Sequence, residues 1–246
     1  MDTTLAKGQY SPNNFFDEEY STSLPTYDLH FSNGNINIVF KNEIIVNMEK
    51  HDEVKADIEL ILKIRAMQNR RTFNVKELVF YTQKGTVDAI SFFGKCSVKI
   101  EDSVSFTLRD KNGNIKYSKE DRISSERLLS SLLTKHIGNT MVKKLISSYY
   151  SAIDDDSNLF IYLYEIRDAL ANNLGGKDNT TKILGISKND WDSFGKLANN
   201  EPIEEGRHRG KSMNVLPATQ EQKQKAFSIA LDMIIKYVNY LNNGNI

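Results

Sequence analysis

The chain has 246 residues, of which 39% are hydrophobic and 10% are aromatic. Its 32 Lys and Arg residues balance 32 Asp and Glu residues, so the formal net charge is zero. These values are typical of a soluble globular protein with one or two domains. A protein that coats duplex nucleic acid or an anionic membrane over a broad surface carries a clear basic excess. Any anionic partner of this chain must therefore meet a local basic patch.

Several kinds of site are excluded by residues that the chain lacks. Cys96 is the single cysteine, so no disulfide forms within the chain, and no two histidines have the i, i+3 or i, i+4 spacing of a helical metal pair. The GxGxxG, GxxxxGK(S/T) and GxSxG motifs do not occur. Residues 1–19 are polar and acidic, and no run approaches the roughly 18 apolar residues of a membrane span. We predict a cytoplasmic protein with no metal, no cofactor and no membrane partner.

The first half of the chain has the pattern of short strands. Residues 1–24 are rich in Ser, Thr, Asn and acids and are predicted to form an irregular lead-in. Residues 25–120 alternate between apolar and polar side chains, which predicts an antiparallel β domain folded as a sandwich or a curled sheet. Asn33-Gly34 is typical of a tight hairpin turn, as is the Asn-Gly pair at 112–113. The clearest alternation covers residues 56–66; a helix is the alternative there, because Glu, Leu and Lys are good helix formers.

The second half of the chain has helical periodicity. Across residues 121–246 apolar side chains recur at spacings of three and four, which predicts an all-α bundle of about four or five helices. Ser187 with Asp190, and Thr219 with Gln222, have the spacing of helix N-caps. The predicted fold class is α+β, with a β-rich antiparallel N-terminal domain followed by a helical bundle.

Residues 204–211 read Glu-Glu-Gly-Arg-His-Arg-Gly-Lys and form the most distinctive motif. Arg207 and Arg209 can fork onto phosphate oxygens, Lys211 adds a third cation, and His208 titrates near neutral pH. This set suits the binding of a phosphodiester or of a phosphorylated small molecule. It also suits RNA cleavage, in which a base takes the 2′-hydroxyl proton and cations stabilise the charge that develops on the phosphate. The alternative is structural: the arginines neutralise the two glutamates that precede them, or bind carbonyls at helix ends.

A second polar group lies on the helix predicted around residue 165. Glu165 and Asp168 are three residues apart and Asp168 and Asn172 are four apart, so each pair shares a helix face, and Arg167 lies between them. We expect these side chains to line a binding site and to meet the arginines of the loop. An internal salt-bridge network is the alternative. Residues 68–71, Gln-Asn-Arg-Arg, are a third candidate, either as a solvated strand end or as part of a nucleic-acid path.

The order of these features resembles the HEPN-type helical domains of prokaryotic toxins, CRISPR effectors and phage-defence proteins. In those domains a basic Arg-and-His motif stands near a helix end, and the next helix closes the bundle. Here residues 207–210 read Arg-His-Arg-Gly, and the next helix is predicted to begin near Thr219. The resemblance covers at most residues 124–242 and implies a metal-independent ribonuclease whose site is assembled by dimerisation. The family's motif, Arg followed by His after four to six residues, is not matched, because residues 201–203 read Glu-Pro-Ile at the positions required for His208.

The sequence thus predicts a bacterial HEPN-like protein that binds or cleaves RNA in phage defence or a stress response. His208 would act as general acid and base, Arg207 and Arg209 would hold the phosphate, and Glu165 and Asp168 would orient the basic groups. One alternative is a non-catalytic module whose β domain recognises a protein partner and whose helical domain forms a homodimer. Another is a sensor of a phosphorylated small ligand.

Overall fold

The computed structural model describes residues 5–41, 48–81, 87–92, 119–207 and 214–244. The chain divides into two compact units, Met1–Ala66 with Arg71–Ser103 and Met67–Arg70 with Val104–Ile246. The first unit holds an antiparallel sheet and most of one long helix, and the second holds the remaining helices. The predicted α+β class is therefore confirmed. The predicted boundary near residue 120 stays a prediction, because residues 93–118 lie outside the described part of the chain.

The described strands of the first unit form one sheet. They are β1 (Leu5–Ser11), β2 (Tyr20–Ser23), β3 (Tyr27–Ser32), β4 (Asn35–Phe40), β5 (Asn74–Tyr81) and β6 (Val87–Phe92). Their order across the sheet is β2-β3-β4-β1-β5-β6, and every neighbouring pair is antiparallel.

Strand β1 lies inside the sheet, between β4 and β5. The prediction of an irregular lead-in over residues 1–24 is therefore wrong, since that segment supplies both β1 and β2. Strand β1 is difficult to recognise in the sequence because Lys7, Gly8 and Gln9 interrupt its apolar pattern. Gly8 is needed there: a Cβ on it would lie 2.7 Å from the carbonyl oxygen of Glu77 on the neighbouring strand.

The hairpin between β3 and β4 follows the local prediction. Asn33 and Gly34 have φ angles of 47° and 80°, the positive values that a two-residue turn of this kind requires. The Asn-Gly pair at 112–113 and the strand-like runs between residues 98 and 108 lie outside the described residues.

Residues 56–66, predicted as a strand, belong to the helix α1 (Met48–Asn69), and the strand prediction is wrong. Val54, Ile58, Ile61 and Leu62 follow helical spacing and are all buried. Leu60 and other apolar residues on further sides of the same helix are buried too. In a helix that is buried around most of its circumference, apolar residues are so frequent that some fall at alternate positions by chance. They then imitate the period of a strand. The 22 residues of α1 also exceed the usual length of a strand.

Helix α1 covers the apolar face of the sheet. The His51 ring stacks on Phe80 of β5 with 3.9 Å between the ring centroids. The Tyr27 hydroxyl donates a hydrogen bond to Asp57, and Arg65 pairs with Asp17. The described part of the first unit is therefore a single sheet covered by a helix. Of the two predicted arrangements, a sandwich or a curled sheet, these residues do not form the sandwich.

The described part of the second unit contains six complete helices. They are α2 (Lys119–Thr134), α3 (Thr140–Asp154), α4 (Leu159–Asn173), α5 (Lys177–Leu184), α6 (Lys188–Asn199) and α7 (Gln220–Asn242). The prediction of four or five missed α5, whose eight mostly polar residues are too few to show a period. Helices α4 and α7 share the centre of the bundle: α4 packs against α3, α5, α6 and α7, and α7 packs in addition against α2, α3, α5 and α6.

Two helix starts were predicted correctly from local chemistry. The Ser187 hydroxyl accepts a hydrogen bond from the Asp190 amide at the start of α6. At the start of α7, Thr219 and Gln222 form the reciprocal bonds of a capping box. Among the described residues, no helix combines the length and the apolar character needed to cross a membrane.

Candidate functional site

Helix α4 presents two chemically different faces to its surroundings. Its apolar side chains are buried in the bundle: Leu159, Phe160, Leu163, Ile166 and Leu170. Tyr164, Arg167 and Asp168 lie at i, i+3 and i+4 and therefore share another face, where they remain half-exposed. Glu165 does not join them, because its carboxylate accepts a hydrogen bond from the Ser148 hydroxyl of α3. The predicted polar group on this helix is thus divided between two directions.

The loop that carries the basic motif is closed at its base by backbone hydrogen bonds. Ile203 and Leu216 form a parallel bridge. The Glu204 amide donates to the Leu216 carbonyl over 3.1 Å, and the Leu216 amide donates to the Pro202 carbonyl over 3.0 Å. The Arg207 amide donates to the carbonyl of Ala198, near the end of α6. These bonds fix the point at which the loop leaves the bundle and the position of the Arg207 backbone.

Glu205 ties the same loop base to the start of α7. Its buried carboxylate accepts a hydrogen bond from the Ala218 amide over 2.9 Å and pairs with Lys223 over 2.9 Å; Lys223 also pairs with Asp156. Burial alone would raise the pKa of Glu205, but these two partners outweigh it and hold the pKa below its ordinary value. Burial likewise opposes the charge on Lys223, yet Asp156 and Glu205 raise its pKa. Among the residues that the structure describes, Lys223 is therefore the cation that neutralises Glu205.

Arg207 reaches back from the loop to α4. Its Nη1 lies 3.5 Å from the Asp168 carboxylate, and its guanidinium carbon lies 4.2 Å from the centroid of the Tyr164 ring. The predicted meeting of Asp168 with an arginine of the loop is confirmed. The two charged side chains are 35% and 48% exposed, so the pair remains open to solvent and to a ligand.

Arg167 occupies the other side of this group. Its guanidinium lies 4.8 Å from the Tyr164 ring and 4.7 Å from the buried Trp191 ring of α6, and it donates a hydrogen bond to the Tyr164 hydroxyl. Gly195 makes room for it, because a Cβ there would lie 2.9 Å from Nη1 of Arg167. Tyr164, Arg167, Trp191 and Arg207 together form an arginine–aromatic cluster.

The remaining predicted site residues fall outside the described part of the chain. His208, Arg209 and Lys211 belong to residues 208–213, so their catalytic and binding roles stay predictions. Arg207 is the basic residue of the motif whose position is described.

The aromatic members of the cluster were missed from the sequence. Tyr164 reads as helix packing and Trp191 as the partner of an N-terminal helix staple. The available signal was the spacing of Tyr164 and Arg167, three residues apart on one helix. Which aromatic rings an arginine contacts depends on the packing of α4 against α6, and spacing along the chain does not reveal it.

The third predicted candidate, residues 68–71, lies at the end of α1 and beyond it. The Gln68 amide donates to the Glu126 carbonyl and to the Ser130 hydroxyl of α2. The Arg70 guanidinium lies 4.8 Å from the Phe227 ring of α7. These contacts give Gln68 and Arg70 a packing role within the second unit, and the interpretation as a strand end is wrong.

The first unit has a polar cavity on the sheet face opposite α1. It has a volume of about 440 Å³ and is lined mainly by Lys7, His30, Ser32, Asn33, Asn35 and Asn37. The Ser21 hydroxyl lies 2.7 Å from Nδ1 of His30, and Glu19 lies 3.9 Å from its Nε2. The cavity is open to solvent, and Gly8 and Ile36 contribute an apolar part to its lining.

Comparison with known proteins gives no assignment. No family model matches the sequence, and no significant match is found among curated proteins or among solved structures. Within the described ranges, no group of three or more His, Cys, Asp or Glu side chains is placed to hold a metal ion.

Proposed function

We propose that the helical unit binds the phosphodiester backbone of RNA at the loop of residues 204–211 and cleaves it without a metal. The supporting observation is the placement of Arg207. It emerges from a loop base that backbone bonds and a buried ion pair hold in place, and its guanidinium remains about one-third exposed beside α4. A positioned, accessible arginine is suited to binding a phosphate oxygen.

The Arg207–Asp168 pair supports a role in binding because it is exchangeable. An exposed ion pair at 3.5 Å contributes little free energy, about 0–1 kcal/mol, so a phosphate can replace the carboxylate at low cost. In the absence of a ligand, Asp168 then holds the Arg207 guanidinium in its orientation.

In the proposed reaction His208 takes the proton from the RNA 2′-hydroxyl, and that oxygen attacks the adjacent phosphorus. The P–O5′ bond breaks, the leaving oxygen takes the proton from the His208 imidazolium, and a 2′,3′-cyclic phosphate remains. Arg207 and Arg209 stabilise the charge that builds on the phosphate oxygens, and Lys211 holds a neighbouring phosphate. By the resemblance to HEPN-type domains, we propose that this activity serves bacterial phage defence or a stress response in the cytoplasm and that the chain forms a homodimer.

The test is cleavage and binding of a short labelled single-stranded RNA by the full chain. We expect His208→Ala to abolish cleavage while leaving binding within a few-fold of wild type. We expect Arg207→Ala to weaken binding about tenfold and to reduce its salt dependence. His136→Ala is the matched histidine control, because His136 contacts Asn242 in the same unit and lies outside the motif.

One further measurement makes this test decisive. DNA of the same sequence should bind without being cleaved, because it lacks the 2′-hydroxyl. Wild-type protein that leaves RNA intact, or cleavage that survives His208→Ala, contradicts the enzymatic proposal. RNA binding that persists without cleavage would leave a binding protein, and a loss of both would favour the interaction module.

A further inference from the structure

Arg167 carries a half-buried charge with no carboxylate in direct contact among the described residues. It forms no ion pair with any residue that the structure describes, and its buried Nε has no hydrogen-bond partner there. The nearby carboxylates have closer partners: Asp168 pairs with Arg207, and Glu165 accepts from Ser148. Asp192 pairs with Lys177 and interacts with Arg167 without forming an ion pair. A half-buried guanidinium of this kind is costly to keep dehydrated, and an anion that reaches it would relieve that cost.

The Tyr164 ring contacts both this guanidinium and that of Arg207, at 4.8 Å and 4.2 Å from its centroid. Its hydroxyl oxygen accepts a hydrogen bond from Arg167, while its own proton is donated to no group in the described part of the chain. The ring meanwhile supports Arg207 at 4.2 Å. An anion at the edge of Tyr164 would therefore meet one O–H donor and two positive charges.

We infer that Tyr164 and Arg167, together with Arg207, form an anion-binding position that takes a phosphoryl group, with the Tyr164 hydroxyl as a direct donor. The inference deepens the proposed function and rests on it for the carrier of the phosphate, a strand of RNA. The Tyr164 hydroxyl distinguishes this position from one that attracts anions by charge alone. It adds a directional hydrogen bond to the anion without adding a positive charge.

The cluster is held ready before a ligand arrives. Trp191 packs against the guanidinium of Arg167 and is 1% exposed, and the absence of a side chain on Gly195 leaves the space that the guanidinium fills. Such support keeps the donors in place, so little conformational entropy is lost on binding.

The test uses inorganic pyrophosphate as the probe, titrated into the full chain by calorimetry at low ionic strength. Tyr164→Phe keeps the ring under Arg207 and removes the hydroxyl, and we expect about tenfold weaker binding, the loss of one hydrogen bond to a charged group. Tyr162→Phe is the matched control. The Tyr162 hydroxyl contacts Asp155 instead, and its removal should leave binding unchanged.

A second variant displaces Arg167 without deleting it. In Gly195→Ala the new methyl group would lie 2.9 Å from Nη1 of Arg167 and push the guanidinium away, so binding should weaken at least threefold while the thermal midpoint shows that the unit is folded. Binding of pyrophosphate that is equal in wild type and Tyr164→Phe, or absent from wild type, overturns the inference. Pyrophosphate binding that depends on Tyr164, in a protein that neither binds nor cleaves RNA, keeps the anion position and refutes the proposed function.

Discussion

Glu205 and Arg207 lie two residues apart in the same loop, and each forms an ion pair with a helix. One of these ion pairs is buried and the other is exposed to solvent. Glu205 and Lys223 are 8% and 14% exposed, whereas Arg207 and Asp168 are 35% and 48% exposed. The first pair joins the loop base to α7 and is surrounded by protein. The second faces solvent, where water and ions compete with it. One pair is therefore suited to hold the loop and the other to release a guanidinium to a ligand.

The largest expected effect comes from removing the buried cation. Lys223→Met leaves the Glu205 carboxylate buried without its positive partner, and we expect the helical unit to lose about 3 kcal/mol of unfolding free energy. The measurement is urea unfolding followed by the fluorescence of Trp191, the single tryptophan, which is buried in that unit.

Arg207→Met is the control for that prediction. It breaks the exposed pair, and we expect a loss below about 1 kcal/mol. Equal losses from the two variants would remove the distinction between a structural pair and an exchangeable pair.

The contribution of Glu205 should also depend on pH. Its pKa in the folded protein lies below the ordinary value of 4.5, so its stabilising effect is complete above pH 4.5 and disappears as the pH falls through the lower folded value. Glu205→Gln removes this charge and keeps an acceptor for the Ala218 amide. We expect the stability difference between wild type and Glu205→Gln to be largest near neutral pH and to shrink below pH 4.5, as measured by urea midpoints. A difference that is constant across that range would contradict the assignment.

The smallest expected effect tests the exchangeable pair directly. Asp168→Asn removes the carboxylate that competes with a phosphate for Arg207, and we expect pyrophosphate and RNA to bind about threefold more tightly. Asp232→Asn is the matched control, because Asp232 pairs with Lys236 on the exposed side of α7. Weaker binding by Asp168→Asn would mean that Asp168 positions Arg207 in the bound state as well.

The accuracy of the sequence predictions differed with the distance over which each feature is determined. The turn at Asn33-Gly34 and the caps at Ser187 and Thr219 depend on residues at most a few positions away, and all three were predicted correctly. Residues 56–66 were assigned to the wrong element, because burial on several sides of a helix imitates the period of a strand. Strand β1 was missed because its pattern is weak and its two neighbours come from later in the chain.

The candidate site shows the same division. The types of its charged residues and the meeting of Arg207 with Asp168 could be anticipated, because opposite charges on a loop and on a helix face attract each other. The role of Lys223 at Glu205 and the stacking of Arg167 on Trp191 could not, because each joins helices that are separate in the chain.

By itself, the sequence determined the charge balance, the α+β class, the hairpin turn and two of the helix starts, because these follow from composition and from contacts between near neighbours. The tertiary structure alone decided that residues 56–66 are helical, that β1 lies inside the sheet, and that the Tyr164 ring contacts two guanidinium groups. The physical reason is that burial and stacking are properties of surfaces brought together by packing, and a side chain cannot show in advance which surface it will meet.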